Sequence, residues 1–118
     1  MNKKEVLKKL ESLRGCYACV YSCDEQGYNG QYNSTPVDYL LDEEIEGQYN
    51  MYCLQDDDWV LDSFTPITNE DIDIEIWAQE FDEETINRIK SEIDEGLYHI
   101  AVFSSDYYGT QEILVWDE

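Results

Sequence analysis

The sequence predicts an α+β fold: one small domain with a mainly antiparallel sheet, an N-terminal helix, and a second helix before a C-terminal β-hairpin. Three observations predict it. Apolar residues recur at helical spacing at the N-terminus and again near residue 86. Several short stretches between and after them alternate apolar with polar residues. Turn-forming residues separate these stretches closely, which favours antiparallel neighbours over long crossovers. At 118 residues, with 42% hydrophobic and 14% aromatic residues, the chain holds enough apolar mass for a single core spanning residues 1–118.

The first helix is expected over residues 2–14. Val6, Leu7, Leu10 and Leu13 form one stripe, and Lys3, Lys4, Lys8 and Lys9 lie around it. Asn2 suits the N-cap, and Gly15 suits a left-handed stop. Residues 16–22 are Tyr- and Val-rich and predict a strand. Asn29-Gly30, flanked by Tyr28 and Tyr32, predicts a two-residue hairpin turn. Residues 37–41, 49–54 and 58–63 are further strand candidates, divided by DEEIEG and DDD. NEDIDIEIWAQE at 69–80 alternates strictly, so a half-buried strand is expected with Ile72, Ile74 and Ile76 inward and Asp71, Asp73 and Glu75 outward.

Residues 83–95 predict the second helix. Asp82 is its N-cap, Phe81 and Ile86 form a hydrophobic staple, and Ile86, Ile89 and Ile93 make its buried stripe before Gly96. LYHIAVF and QEILVW then predict two strands joined through a turn at Gly109.

Charge is the feature furthest from ordinary. The chain carries 28 acidic and 7 basic residues, a formal −21. Lys3, Lys4, Lys8, Lys9 and Arg14 supply five of the basic residues. Removing these five and Glu5 and Glu11 leaves 26 acidic against 2 basic from Gly15 onward, a formal −24. Such a surface repels nucleic acid and anionic membranes and attracts basic proteins. The apolar runs are too short to span a membrane, and the N-terminus lacks the apolar core of a secretion signal, so a cytoplasmic location is expected.

Chemistry-bearing motifs are sparse. No phosphate-binding glycine loop, zinc-protease motif or nucleophile elbow occurs. His99, the single histidine, sits within a strand pattern with no local nucleophile. Cys16, Cys19 and Cys23 have the spacing C-x2-C-x3-C, with Cys53 as a conceivable fourth ligand. In a strand, however, Cys16 and Cys19 point to opposite faces, so free structural thiols are expected, with no bound metal and no cofactor. Asp56, Asp57, Asp58 and Asp62 lack the glycine and glutamate spacing of an EF-hand and predict an exposed acidic turn.

The acidic residues fall in clusters. Asp42, Glu43, Glu44 and Glu46 form one, and Asp56, Asp57 and Asp58 another. Asp71, Asp73 and Glu75 form a third, in which alternate strand residues place carboxylates roughly 6.6 Å apart. An ordered anionic row of this kind can occupy successive subsites of a phosphate-binding groove. Crowding is also expected to raise carboxylate pKa values through mutual repulsion.

In size and charge the chain resembles small acidic phage-borne proteins that mimic DNA to block restriction or CRISPR nucleases. The likeness is one of composition and transfers no site residues. It implies a non-enzymatic inhibitor that occupies the basic groove of a nucleic-acid-binding host defence protein. The alternative is an immunity or antitoxin-type protein, or another interaction module, that masks a basic toxin or similar partner. Either reading expects a basic protein partner and no direct contact with nucleic acid or membrane.

Overall fold

The computed structural model describes residues 2–24, 26, 30–67 and 82–116. The elements run α1 (Lys3–Glu11), β1 (Tyr17–Cys23), β2 (Gln31–Pro36), α2 (Asp38–Leu41), β3 (Glu44–Ile45) and β4 (Gln48–Tyr49). They continue with β5 (Val60–Pro66), α3 (Glu83–Asp94), β6 (Tyr98–Ser105) and β7 (Gly109–Trp116). Five strands form one sheet in the order β2-β1-β7-β6-β5, antiparallel at every junction, and β3 and β4 form a separate small hairpin. This is the α+β fold with a C-terminal β6–β7 hairpin that the sequence predicts.

The helices lie on opposite sides of the sheet. Strand residues alternate between faces, and the register places Ala18, Val20, Ala101, Phe103, Ile113 and Val115 on one face. There they pack with Val6, Leu10 and Leu13 of the N-terminal helical segment, Leu40 and Leu41 of α2, and Leu54 and Trp59 of the following segment. Tyr98 and Leu114 point the other way and meet Ile89 and Ile93 of α3, together with Ile67. Each large side chain buried this way contributes about 1.5–3 kcal/mol, set against the entropy of ordering the chain.

Local chemistry explains the helix ends. The Asn2 side chain accepts a hydrogen bond from the Glu5 backbone N–H at 2.9 Å, and the Glu5 carboxylate accepts from the Asn2 N–H at 3.2 Å, a reciprocal capping box. Asp82 caps α3 by accepting from the Thr85 N–H at 2.8 Å. At the other end of α3, Gly96 has φ +80°. Its N–H reaches the Ile93 carbonyl at 2.9 Å, and the Leu97 N–H reaches Glu92 at 3.1 Å, the paired bonds of a Schellman stop.

Three expected elements are corrected. Within 37–41, Asp38–Leu41 form the short helix α2, capped by Val37, and no strand. Leu40 and Leu41 are adjacent and both buried, which a single-faced strand does not allow, and Asp38 in the first turn suits the helix dipole. Residues 49–54 are mostly turn. The Asn50 amide donates to the carbonyls of Tyr39 and Asp42 at 2.6 and 2.9 Å, and its oxygen accepts from the Tyr52 N–H at 3.1 Å, which diverts the chain from sheet pairing. The β1–β2 connection is also longer than a two-residue turn at Asn29-Gly30, because β1 ends at Cys23 and β2 begins at Gln31, which leaves 24–30 between the strands. The tight hairpin occurs instead at Glu46-Gly47, both with positive φ (53° and 81°), the conformation a two-residue hairpin turn needs. The expected strand at 69–80, with Asp71, Asp73 and Glu75, and the Phe81 staple residue lie outside the described residues.

Candidate functional site: an acidic, tyrosine-bearing face

The segment from α2 to the start of β5 brings two of the sequence-predicted acidic clusters together. Glu44 on β3 pairs with Tyr49 on β4. The Tyr49 hydroxyl donates to the Asp56 carboxylate. Asp56 Oδ1 also accepts from the Asp58 N–H at 3.2 Å. The Lys3 ammonium donates to the backbone carbonyls of Asp56 and Trp59 at 2.8 and 2.5 Å, tying α1 to the same turn. The Trp59 indole N–H donates to the Met51 carbonyl at 2.8 Å and seals the segment onto the core.

The clustered acids divide by what they touch. Glu43, Glu44, Glu46 and Asp57 are exposed. Asp42 is half-buried and accepts from the Arg14 guanidinium at 2.9 Å, as does Asp38, while Arg14 Nε donates to Glu11 at 2.6 Å. Arg14 thus gathers three carboxylates from α1, from α2 and from the residue after α2. Those bonds, Glu11 foremost, hold its own pKa above the ordinary guanidinium range. Asp56 is likewise occupied. The hydrogen bond from Tyr49 holds its carboxyl below the usual range, and the same bond raises the Tyr49 phenol. Asp82 is also lowered, by its bonds from Thr85. At Asp56 and Asp82, therefore, hydrogen bonding outweighs the crowding that was expected to raise acidic pKa values.

Reading charge alone missed the aromatic part of this face. Tyr39, Tyr49, Met51 and Tyr52 are each at least 41% exposed and interleave with the acids, and Tyr107 projects from the β6–β7 turn. Tyr107 and Tyr108 lie 6.2 Å apart, and Tyr108 stacks towards Trp59 at 6.1 Å. Ten tyrosines in the composition were the available signal. Their gathering on one face depends on contacts that spacing along the chain does not reveal.

The thiols and the histidine take separate places. Cys16 packs against the α1-side core and Cys19 against the α3-side core, so the first two members of the C-x2-C-x3-C spacing serve opposite faces of the sheet. Burial pushes the Cys19 thiol up to about 12 and raises that of Cys53, whose Sγ lies 3.3 Å from the Leu41 carbonyl. Cys16, Cys23 and Cys53 are free thiols. Among the described residues, no three His, Cys, Asp or Glu side chains come together as a group able to hold a metal ion. His99 stacks on Phe64 with ring centroids 4.7 Å apart and planes 6° from parallel. Burial lowers its pKa, with a smaller contribution from Lys9. Among the described residues no helix is long and apolar enough to cross a membrane.

Comparison with protein-family models, with curated proteins and with solved structures finds no match to this chain.

Proposed function

We propose that the protein is a non-enzymatic inhibitor whose acidic face occupies the basic, nucleic-acid-binding surface of a partner protein, such as a host defence nuclease. The observation that carries this reading is the joined platform of Glu43, Glu44, Glu46 and Asp57. The Glu44–Tyr49 pairing and the Tyr49–Asp56 hydrogen bond join the hairpin and the turn whose backbone carries these four exposed carboxylates. Ordered anions present a phosphate-like pattern without the entropy cost of a floppy acidic tail. The −24 formal charge beyond Gly15 adds long-range attraction for a basic groove and repulsion from nucleic acid itself.

A second reading is favoured by the exposed tyrosines. Tyrosine and methionine are enriched in protein–protein contacts, where they supply shape-specific anchors that a phosphate mimic does not need. Tyr49, Met51 and Tyr52 among the acids therefore favour an immunity-type protein that masks a basic toxin by close fit.

One experiment tests both. The full chain is used to capture partners from a lysate, and the captured protein is then assayed with its nucleic acid. Stoichiometric displacement of nucleic acid by the acidic chain supports mimicry. Inhibition of the partner's activity without displacement supports masking. A captured partner that keeps both its activity and its nucleic acid in the presence of excess chain sinks both readings.

A further inference from the structure

The inward face of the sheet changes character at one end. Along β1 the residues facing α1 and α2 are Ala18, Val20 and then Ser22, and along β7 they are Val115, Ile113 and then Gln111. On β2 the matching positions are Thr35, opposite Ala18, and Asn33, opposite Val20. Ser22 and Gln111 are cross-strand neighbours. Apolar side chains fill such positions where the face is fully buried, as at Ala18, Val20, Ile113 and Val115, whereas Asn33 is exposed and Ser22 and Thr35 are half-buried. Here hydroxyls and amides replace apolar groups, and they line a cavity of about 250 Å³ with Tyr39 and Tyr52 at its sides. A second hollow of about 170 Å³ shares Ser22, Tyr52 and Gln111 with the first.

Gln111 is only 2% exposed, and among the described residues its Nε2 has no hydrogen-bond partner. A buried amide donor left without an acceptor is costly, so a side chain of this type in a cavity wall points to an acceptor supplied from outside the fold. The lining restricts what that acceptor belongs to. Among the described residues none of the lining side chains of the larger cavity is charged, although 28 carboxylates are distributed along the chain. A cationic side chain brings only donors and cannot satisfy Gln111 Nε2. An anion is repelled by the field of the whole molecule. The volume falls below the roughly 300–1,000 Å³ of pockets for drug-sized ligands, which excludes a dinucleotide-sized group.

We infer that this cavity binds a neutral polyhydroxyl ligand the size of a single sugar ring. Each hydroxyl of such a ring both donates and accepts, which matches Gln111, Asn33, Ser22 and Thr35 together. Its C–H face suits the rings of Tyr39 and Tyr52, each 46% exposed and so accessible at the rim. This site does not depend on the acidic-face reading: it shares Tyr39 and Tyr52 with that face but uses none of its carboxylates, and its ligand is neutral.

The test is an amide NMR titration of the full-length, isotopically labelled chain with glucose, galactose, mannose and N-acetylglucosamine in turn, and with adenosine as a neutral ring of different chemistry. At least one sugar is expected to give saturable shifts centred on the Gln111 side-chain amide and the backbone of Ser22, Asn33 and Tyr52. Gln111→Leu is expected to weaken that sugar roughly tenfold while leaving the melting temperature unchanged or higher, since it removes an orphan donor. A residue serving only the fold would instead lower the melting temperature. Tyr52→Ala, at an exposed position, is expected to weaken binding without unfolding and decides the matter if Gln111→Leu does not fold. The inference is overturned if no sugar saturates, if shifts map elsewhere, if adenosine binds in preference, or if Tyr52→Ala binds sugar as well as wild type.

Discussion

The Tyr49 hydroxyl donates a hydrogen bond to the Asp56 carboxylate and so joins the β3–β4 hairpin to the acidic turn before β5. Two acidic clusters separated in sequence become one face through that contact. It also explains why Asp56 ionises more readily than an ordinary aspartate although other carboxylates crowd the chain.

Removing the hydroxyl with Tyr49→Phe is expected to return the Asp56 pKa towards its ordinary value. Asp56 has a lowered pKa in the folded state, so its contribution to stability is present above the unfolded pKa of about 3.9 and is lost as pH falls through the folded value. Acid unfolding of the variant should therefore begin at higher pH than in wild type. NMR titration of the Asp56 carboxyl checks the first point and acid melts the second. An unchanged Asp56 titration would show that Tyr49 does not control it.

His99 makes a separate and higher pH window. Its pKa is lowered by burial against Phe64 and, to a smaller extent, by Lys9, so the folded state prefers the neutral ring. Stability from this group is full above the unfolded pKa of about 6.5 and is lost as pH falls below it. Urea midpoints measured between about pH 7.5 and about pH 5.5 should fall in wild type. His99→Phe keeps a ring on Phe64 and removes the Nδ1 atom, which is buried without a partner among the described residues. The variant should show a flatter profile over this range. An equal decline in both proteins would assign the effect to other groups.

Much of the fold was legible because local rules carried it. Asp82, the Ile86–Ile89–Ile93 stripe and Gly96 mark α3 at both ends, and the structure places it at Glu83–Asp94. The strands LYHIAVF and QEILVW pair in register, from Tyr98 against Trp116 to Ser105 against Gly109. Local rules failed where long-range bonds decided. Asn50 bonds to Tyr39 and Asp42, so 49–54 turns although its composition suits a strand. The adjacent Leu40 and Leu41 both find the core, so Asp38–Leu41 becomes helical. The acidic clusters were visible as clusters, but their union through Tyr49, the sharing of Arg14 and the polar cavity under Tyr52 all depend on pairings between distant residues.

Arg14 is the point where the acidic chain binds its own carboxylates. It spans Glu11, Asp38 and Asp42, 24 and 28 residues separating it from the last two. Arg14→Met keeps a side chain of similar length but leaves the three acids to repel one another. Exposed ion pairs are individually weak, so a loss of about 1 kcal/mol at low salt is expected, shrinking as salt screens the repulsion. Denaturant unfolding at low and high ionic strength measures this. A salt-independent loss would show that Arg14 acts through packing of its stem.

The thiols should react in an order set by burial. Burial pushes the Cys19 thiol up to about 12 and raises that of Cys53, so both remain protonated thiols at neutral pH, and Cys53, fully buried, is also shielded from reagents. A thiol-reactive probe under native conditions is expected to label Cys16 and Cys23, which are partly exposed, before Cys53. Peptide mapping of the labelled protein reads the order. If Cys53 were modified as fast as Cys23, the α2 segment would have to open on the timescale of labelling.

The acidic face makes the prediction with the widest consequence. One variant carries Glu43→Gln, Glu44→Gln, Glu46→Gln and Asp57→Asn, all at exposed positions, and leaves Asp42 with Arg14 and Asp56 with Tyr49. It should fold as wild type and melt no lower, because only mutually repelling surface charges are lost. Its association with the captured basic partner should slow by roughly tenfold at low salt, with a shallower salt dependence, because steering comes from the charges removed. A second variant, Asp71→Asn, Asp73→Asn and Glu75→Gln, neutralises the alternating row that sequence singles out. Comparing the two divides the recognition between a platform anchored by Tyr49 and a periodic row of carboxylates. If the row is the phosphate-like element, the second variant loses competition against nucleic acid while the first loses mainly association rate. Wild-type binding and competition by both variants together would remove acidity as the basis of recognition and leave the exposed tyrosines as the surface to test.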